Sequence, residues 1–364
     1  MIIRKIVITG GPCAGKTTAM SWIQNNMPSR GYRVLFVPET ATELIGGGVA
    51  PWTCGTNLDY QKCQVRLQKT KEELFEQAAR TMPVDKVLIV CDRGMLDNKA
   101  YMTDAEFREA LSSIGVSEVE MRDQYDAVFH LVTAAKGQED AYAKSAVRVE
   151  SIPQAIELDD KLLACWNGHP HLRVIDNSTD FEKKLERLLA EINAFLGEPE
   201  LLEIERSYLI EYPDVEWLKH NPNCQRIEVV QTYLNPTQPG DERSIRQRGS
   251  DGHYIYFETI KRRIGNQQRV EIERRLTQDE YLGLMMEADP ECRPIRKTRY
   301  CLSYNTQYFQ IDLFPFWQDK AIAEVELRRA DDEIRFPKEL HIIREVTGDS
   351  AYSNASMARG LPPR

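Results

Sequence analysis

At 364 residues the chain is long for one domain and suited to two. Its 42% hydrophobic and 28% charged residues are those of an ordinary globular protein, and no apolar run approaches the roughly 20 residues that span a bilayer. A net charge of −9, with a pI of about 5.4, excludes broad attraction to nucleic acid or an anionic membrane, so a polyanionic ligand must meet a local basic pocket. The one short apolar run near the start, Ile6 to Ile8 followed by glycines, does not read as a signal sequence. The eight cysteines contain no CxxC pair and read as reduced thiols, so a cytoplasmic protein without integral membrane contact or nucleic-acid partner is expected.

Short apolar runs alternate with longer helical patterns from residue 1 to about 197. The runs Lys5 to Thr9, Arg33 to Val37, Val87 to Val90, Ala127 to Val132 and Leu172 to Ile175 read as strands buried on both faces. Asp59 to Ala79 and Phe181 to Leu196 read as helices between them, which predicts a doubly wound α/β domain. The first strand runs into Gly10, Gly11, Pro12, Cys13, Ala14, Gly15, Lys16, Thr17 and Thr18, and a helix pattern begins at once. This is G-x-x-x-x-G-K-[ST] in its strand–loop–helix setting, a P-loop for ATP or GTP. Lys16 is expected at the β- and γ-phosphates, and Thr17 on Mg2+.

Asp92 ends a buried strand on the carboxyl edge of the sheet and is the expected acidic ligand for the metal beside Thr17, with a simple turn or helix cap the alternative. Glu39 ends the second strand, where it either faces a phosphate acceptor or caps a helix. Asp92-Arg93-Gly94, with Asp97 and Tyr101, resembles the DR[GS]-xx-D-xx-[AV]Y run of nucleoside and nucleotide kinases. In such kinases a polar insertion after the fourth strand is the lid. Lys136, Lys144 and Arg148 lie in that position here, with Arg148 the leading candidate to cover the transferring phosphate and a solvated basic surface the alternative.

The pattern changes at Gly197 to Glu200 to a period of two, seen at Glu203 to Glu205, Arg246 to Arg248, Tyr256 to Lys261, Val270 to Arg274, Lys297 to Leu302 and Ala321 to Leu327. Residues i and i+2 share a strand face. Ionic pairs therefore recur on single faces: Glu203 with Glu205, Arg246 with Arg248, Lys261 with Arg263, Glu271 with Glu273, Lys297 with Arg299, and Glu324 with Glu326. Either these are wet faces of an ordinary sheet, or they line a barrel that holds a polyanion and divalent metal.

These residues resemble the CYTH family, the triphosphate tunnel metalloenzymes. Glu203-Ile204-Glu205-Arg206-Ser207-Tyr208-Leu209 is similar to the family's ExExK strand, with Ser207 where the family has lysine. Arg246-Gln247-Arg248, Lys261, Glu271-Ile272-Glu273, Lys297-Thr298-Arg299-Tyr300, Asp312 and Glu324-Val325-Glu326 follow in the family's order. The resemblance implies an α+β antiparallel β-barrel over 201–357 and a tail at 358–364. Arg246, Arg248, Lys261, Lys297 and Arg299 would hold polyphosphate. Glu203, Glu205, Asp312, Glu324 and Glu326 would hold Mg2+ or Mn2+. The missing lysine implies weakened triphosphate hydrolysis.

Residues 1–197 resemble the P-loop ATPases related to the ribosylnicotinamide-kinase domain of a bacterial NAD regulator. The order P-loop domain, then CYTH domain, resembles the family of the photoreceptor TRPL translocation-defect protein. The expectation is thus a two-domain, Mg2+-dependent nucleotide-binding enzyme in which Lys16, Asp92, Glu39 and Arg148 carry the chemistry. A nucleotide-switched protein that captures an inositol phosphate or phosphoinositide headgroup without turnover is the alternative.

Overall fold

The computed structural model describes residues 1–27, 31–139, 142, 151–197, 204–238, 241–264, 268–327 and 332–360, with backbone only at 204, 262–264, 268–272 and 326. Two compact units divide the chain, Met1–Pro199 and Glu200–Arg364.

In the first unit five parallel strands pair in the order β2-β3-β1-β4-β5: β1 Ile2–Thr9, β2 Arg33–Val37, β3 Lys86–Asp92, β4 Ala127–Leu131 and β5 Leu172–Ile175. The apolar runs are continuous because both faces of the sheet are covered. Ile6, Val7 and Ile8 are fully buried, as are Val87 to Val90. One core joins Ile6, Ile8, Leu88, Val90 and Phe129 to Ala19 and Ile23 of helix α1 (Lys16–Asn26) and to Leu185 and Leu188 of the last helix of the unit (Phe181–Phe195). The remaining helices include α2 (Thr40–Gly46), α3 (Asn57–Thr81), α4 (Asp104–Ser112), α5 (Glu118–Asp123) and α6 (Ile152–Cys165), so the helix ending the unit is α7. No described helix is long and apolar enough to cross a membrane.

The second unit is a nine-stranded antiparallel sheet in the order β10-β9-β8-β7-β11-β12-β13-β6-β14. Its strands are β6 Ile204–Glu211, β7 Cys224–Leu234, β8 Glu242–Ser250, β9 His253–Ile264, β10 Gln268–Leu276, β11 Ile295–Tyr304, β12 Gln307–Leu313, β13 Lys320–Leu327 and β14 Ile342–Glu345. Asp251 (φ 53°) and Gly252 (φ 83°) join β8 to β9 in a two-residue turn, a geometry that matches the twist of paired strands. One face packs Tyr208, Ile210, Tyr300, Leu302, Phe309, Ile311 and Val325 into a core. The other carries the charged residues described below. The register places Lys297 opposite Val229, Arg299 opposite Asp312, Gln310 opposite Glu324, and Ser207 opposite Glu324 from the other side.

Candidate functional site

The phosphate loop is built by turning its carbonyls outward. The Thr133 hydroxyl donates to the Pro12 carbonyl at 2.5 Å, the Ala134 amide to that of Cys13 at 3.4 Å, and Lys184 Nζ to that of Ala14 at 3.3 Å. This leaves the other side of the loop to peptide N–H groups, the arrangement that binds phosphate oxygens. Gly10 (φ 143°) and Gly15 (φ 91°) supply the backbone turns. A Cβ on Gly10 would collide with the Leu131 carbonyl, and one on Gly15 with the Phe181 ring. Helix α1 starts at Lys16 with no side-chain cap, so its first amides and positive end face the loop. Cys13, Thr17 and Thr18 are exposed, Pro12 and Gly15 half-buried, and Ala14 buried.

Lys16 Nζ donates to the Gly10 carbonyl at 3.2 Å. Burial lowers its ammonium to about 8, and Arg93 adds to the shift, while Asp92, Glu39 and Asp97 oppose it. Asp92 ends β3, where burial lifts its carboxyl above the ordinary range and Lys16 opposes the lift. Its buried Oδ1 has no hydrogen-bond partner among the described residues. An orphaned acidic oxygen beside a phosphate loop fits a divalent cation. The sequence places Thr17, the other expected ligand, directly after Lys16.

Arg93 sits at φ 67°, outside the usual range for a residue with a Cβ, and donates through Nε to Glu39 Oε1 at 2.6 Å. Its buried Nη1 has no partner among the described residues. Burial alone would raise the Glu39 carboxyl; Arg93 and the Thr42 hydroxyl bring it below its usual value. Glu39 also stands at the N-terminal boundary of α2, but no side-chain cap is formed there. Asp97 has a structural place: it accepts from the Thr9 hydroxyl at 2.6 Å, the Gly94 amide at 2.8 Å and Trp166 Nε1 at 3.0 Å.

Motifs did not reveal Asp159. It lies fully buried in α6 and accepts from the Gly11 amide (2.9 Å), the Thr133 amide (3.1 Å), His130 Nε2 (3.1 Å) and Lys136 Nζ (2.8 Å). Burial would raise its carboxyl, but His130 and Lys136 hold it far below the ordinary range. Lys136 also reaches Asp160 at 2.7 Å. Lys144 and Arg148 lie outside the described residues. His169 packs in a turn, with Nε2 on the Tyr125 carbonyl at 3.0 Å and Nδ1 receiving the His171 amide.

A pocket of about 300 Å³ opens between Glu39, Asp92, Arg93 and one face of α3. Gln61, Gln64 and Gln68 line it at helical spacing. Gln64 and Gln68 are tied to Asn98 at 2.9 Å each, and Tyr60 donates to Gln64 at 2.6 Å.

On the charged face of the second unit, Lys297 Nζ meets Asp312 Oδ2 at 2.5 Å. Arg299 reaches both oxygens of Asp312 at 2.6 Å, Glu324 at 2.8 Å, and Gln310. Burial would raise the Asp312 carboxyl, but Arg299 and Lys297 hold it below its usual range. Arg248 is buried, Arg246 and Lys261 half-buried. Glu205 is exposed and accepts from Ser207 Oγ at 3.5 Å. Arg206 binds Glu345 of β14 at 2.6 Å. Glu203 and the side chain of Glu326 lie outside the described residues, as does the side chain of Glu271. Among the described residues no three acidic, histidine or cysteine side chains gather as a metal site.

Residues 5–184 match the family model described as an AAA domain. This stretch is a P-loop-type AAA domain. No curated protein matches the chain. Two of the solved structures similar to it span nearly all of their own chains. One, titled as a hypothetical protein, is 28% identical over 44% of this chain and 100% of its own, at a TM-score of 0.33. The other, titled as an inorganic triphosphatase, is 26% identical over 45% of this chain and 98% of its own, at a TM-score of 0.31. The matched stretch contains the phosphate loop, Glu39, Asp92, Arg93 and Asp159, and its last residue, Lys184, donates to the Ala14 carbonyl of the loop.

Proposed function

We propose that the chain is a Mg2+-dependent nucleoside-triphosphate-binding phosphotransferase or NTPase. In this reading the second unit binds a triphosphate or polyphosphate. The observation that carries it is the convergence at the loop: outward-bound carbonyls, a desolvated Lys16 and an orphaned Asp92 oxygen. A lysine held near 8 without an anion regains its proton affinity when phosphate arrives, which favours binding. Thr17 and Asp92 would hold Mg2+, which neutralises charge on the phosphates when bound. Lys16 would position the β- and γ-phosphates, and the loop amides would orient them. Calorimetric titration of the full chain with MgATP and MgGTP tests this, with Lys16→Ala as control. Micromolar binding of either nucleotide, lost in the variant, is expected; equal affinity in the two proteins refutes the assignment.

For the second unit, capture without turnover is the reading favoured by one observation. Asp312 and Glu324 are both engaged by Arg299, and Ser207 stands where the resembled CYTH family has lysine. A phosphorylated ligand would compete for Lys297 and Arg299. The resemblance to the TRPL translocation-defect family belongs with this reading. Tripolyphosphate incubated with the protein and Mn2+ should bind and release little phosphate. Rapid release would assign hydrolysis to this unit instead.

A further inference from the structure

The second unit has a pocket on the side of its sheet opposite the charged face. Strand alternation separates the two sides. Lys297, Arg299 and Asp312 share one face; Thr298, Tyr300 and Leu313 share the other, and the register sets Tyr300 beside Arg226 of β7. Tyr300 and Leu313 belong to the apolar core on that side. Where this core reaches the surface, between helix α8 (Val215–His220) and the turn after β12, a pocket of about 600 Å³ opens. That is the volume of an ordinary small-molecule site. None of the cations expected to hold polyphosphate lines it.

The walls are aromatic and the charges are of one sign. Tyr212, Tyr300, Phe314 and Trp317 line the pocket, and no carboxylate among the described residues does. Phe314 and Trp317 are buried and pack edge to face with ring centroids 5.4 Å apart, so this wall is formed before any ligand arrives. Lys219 and Arg226 supply the charge, both from exposed positions. Each is tied to one acid outside the lining: Lys219 to Glu216 at 2.7 Å, and Arg226 to Glu228 at 2.8 Å. Exposed ion pairs of this kind hold their partners weakly, so both cations are available to a ligand. The Tyr300 ring is 2% exposed, yet its hydroxyl has no hydrogen-bond partner among the described residues. Burial raises this phenol above its ordinary value while Arg226 and Lys219 pull it down, so the hydroxyl and the two cations lie at one end of the pocket.

We propose that this pocket binds a small molecule with a flat aromatic body and a single carboxylate. The body lies against the rings of Phe314 and Trp317, with Tyr212 at the rim. The carboxylate accepts from the Lys219 ammonium, the Arg226 guanidinium and the Tyr300 hydroxyl. A guanidinium fork matches the two oxygens of a carboxylate. One negative charge suits the site better than a phosphate monoester with nearly two, because Glu216 and Glu228 remain beside the cations.

Benzoate, naphthoate and biphenylcarboxylate serve as probes, each titrated calorimetrically into the full chain at neutral pH. The amide and the phosphate ester carrying the same ring system are titrated in parallel. At least one acid should bind with a Kd below about 1 mM. Its amide should bind about tenfold more weakly or worse, and its phosphate ester no more tightly. Tyr300→Phe, which removes only the hydroxyl, should weaken the acid about threefold or more. Lys219→Ala combined with Arg226→Ala, both at exposed positions, should weaken it about tenfold or more. Thermal melts matching the wild type confirm that both variants are folded. Absence of binding by all three acids overturns the proposal. So does an amide that binds as tightly as its acid, or a phosphate ester that binds about tenfold more tightly. Unchanged affinity in both variants places the acid elsewhere on the chain and overturns it as well.

Discussion

Lys16 shows how one residue can set a pH dependence. Its ammonium must be charged to hold phosphate, and burial has lowered it to about 8 in the free protein. Below that pH the cation is present before the ligand arrives. Above it, binding must also take up a proton, so affinity falls by up to about tenfold per pH unit until the pKa of the bound state is reached. Nucleotide affinity measured from pH 7 to 10 should break near 8; a flat profile would remove Lys16 from the phosphates. Asp159 acts differently. Replacing it with alanine leaves the Gly11 and Thr133 amides, His130 and Lys136 without their shared acceptor. A cost of about 3 kcal/mol or more to the first unit is expected, and denaturant unfolding of the full chain reads it. A loss below about 1 kcal/mol would mean that water satisfies these donors equally well.

Elements were legible where their period was clean. Four strands of the first unit stand out as apolar runs because both faces are covered, whereas β2, expected to be buried on both faces, lies at the edge of the sheet with only Val37 buried. Several strands of the second unit stand out because an apolar face backs a wet or ionic one. Cys224–Leu234 did not, because Ile227, Glu228, Val229, Val230 and Gln231 break the alternation. Gln307–Leu313 did not because it is buried on both faces within an otherwise alternating region. The phosphate loop was readable because its chemistry needs adjacent residues. Asp159 was not, since its four donors are assembled only by folding. The stripe Gln61, Gln64, Gln68 and Glu72 was visible in principle, as polar residues at helical spacing on a buried face. At this scale the β11–β12 pair makes a test. Asp312→Ala strands Lys297 and deprives Arg299 of its main partner, a change worth about 3–5 kcal/mol. Asp312→Leu combined with Lys297→Met should recover part of that in a thermal melt. Because Arg299 and Lys297 hold Asp312 below its usual range, their stabilisation is complete above about pH 4. It fades as the pH falls toward the folded value. Equal melting of the single and double variants would show that the ion pair is not the source.

Across the whole chain, the proposed function puts two phosphate-binding chemistries on separate units. Peptide amides and a helix end would serve the first; the side-chain cations that pair with Asp312 on a sheet would serve the second. Lys16→Ala should therefore abolish nucleotide binding and leave tripolyphosphate affinity within about twofold, with Arg299→Ala doing the reverse. Titrations of both ligands against both variants check this. Loss of both activities in either variant would mean that the ligands share one site.

The bond from Trp166 to Asp97 makes a reporter inside the first unit. The indole N–H is fully buried and given to a carboxylate that also joins the end of β1 to the residue after Arg93. Its proton can meet deuterium only when these parts separate. In deuterated solvent the decay of that one indole resonance therefore measures how often the sheet edge under the phosphate loop opens. A nucleotide seated on the loop should slow the decay in proportion to its occupancy.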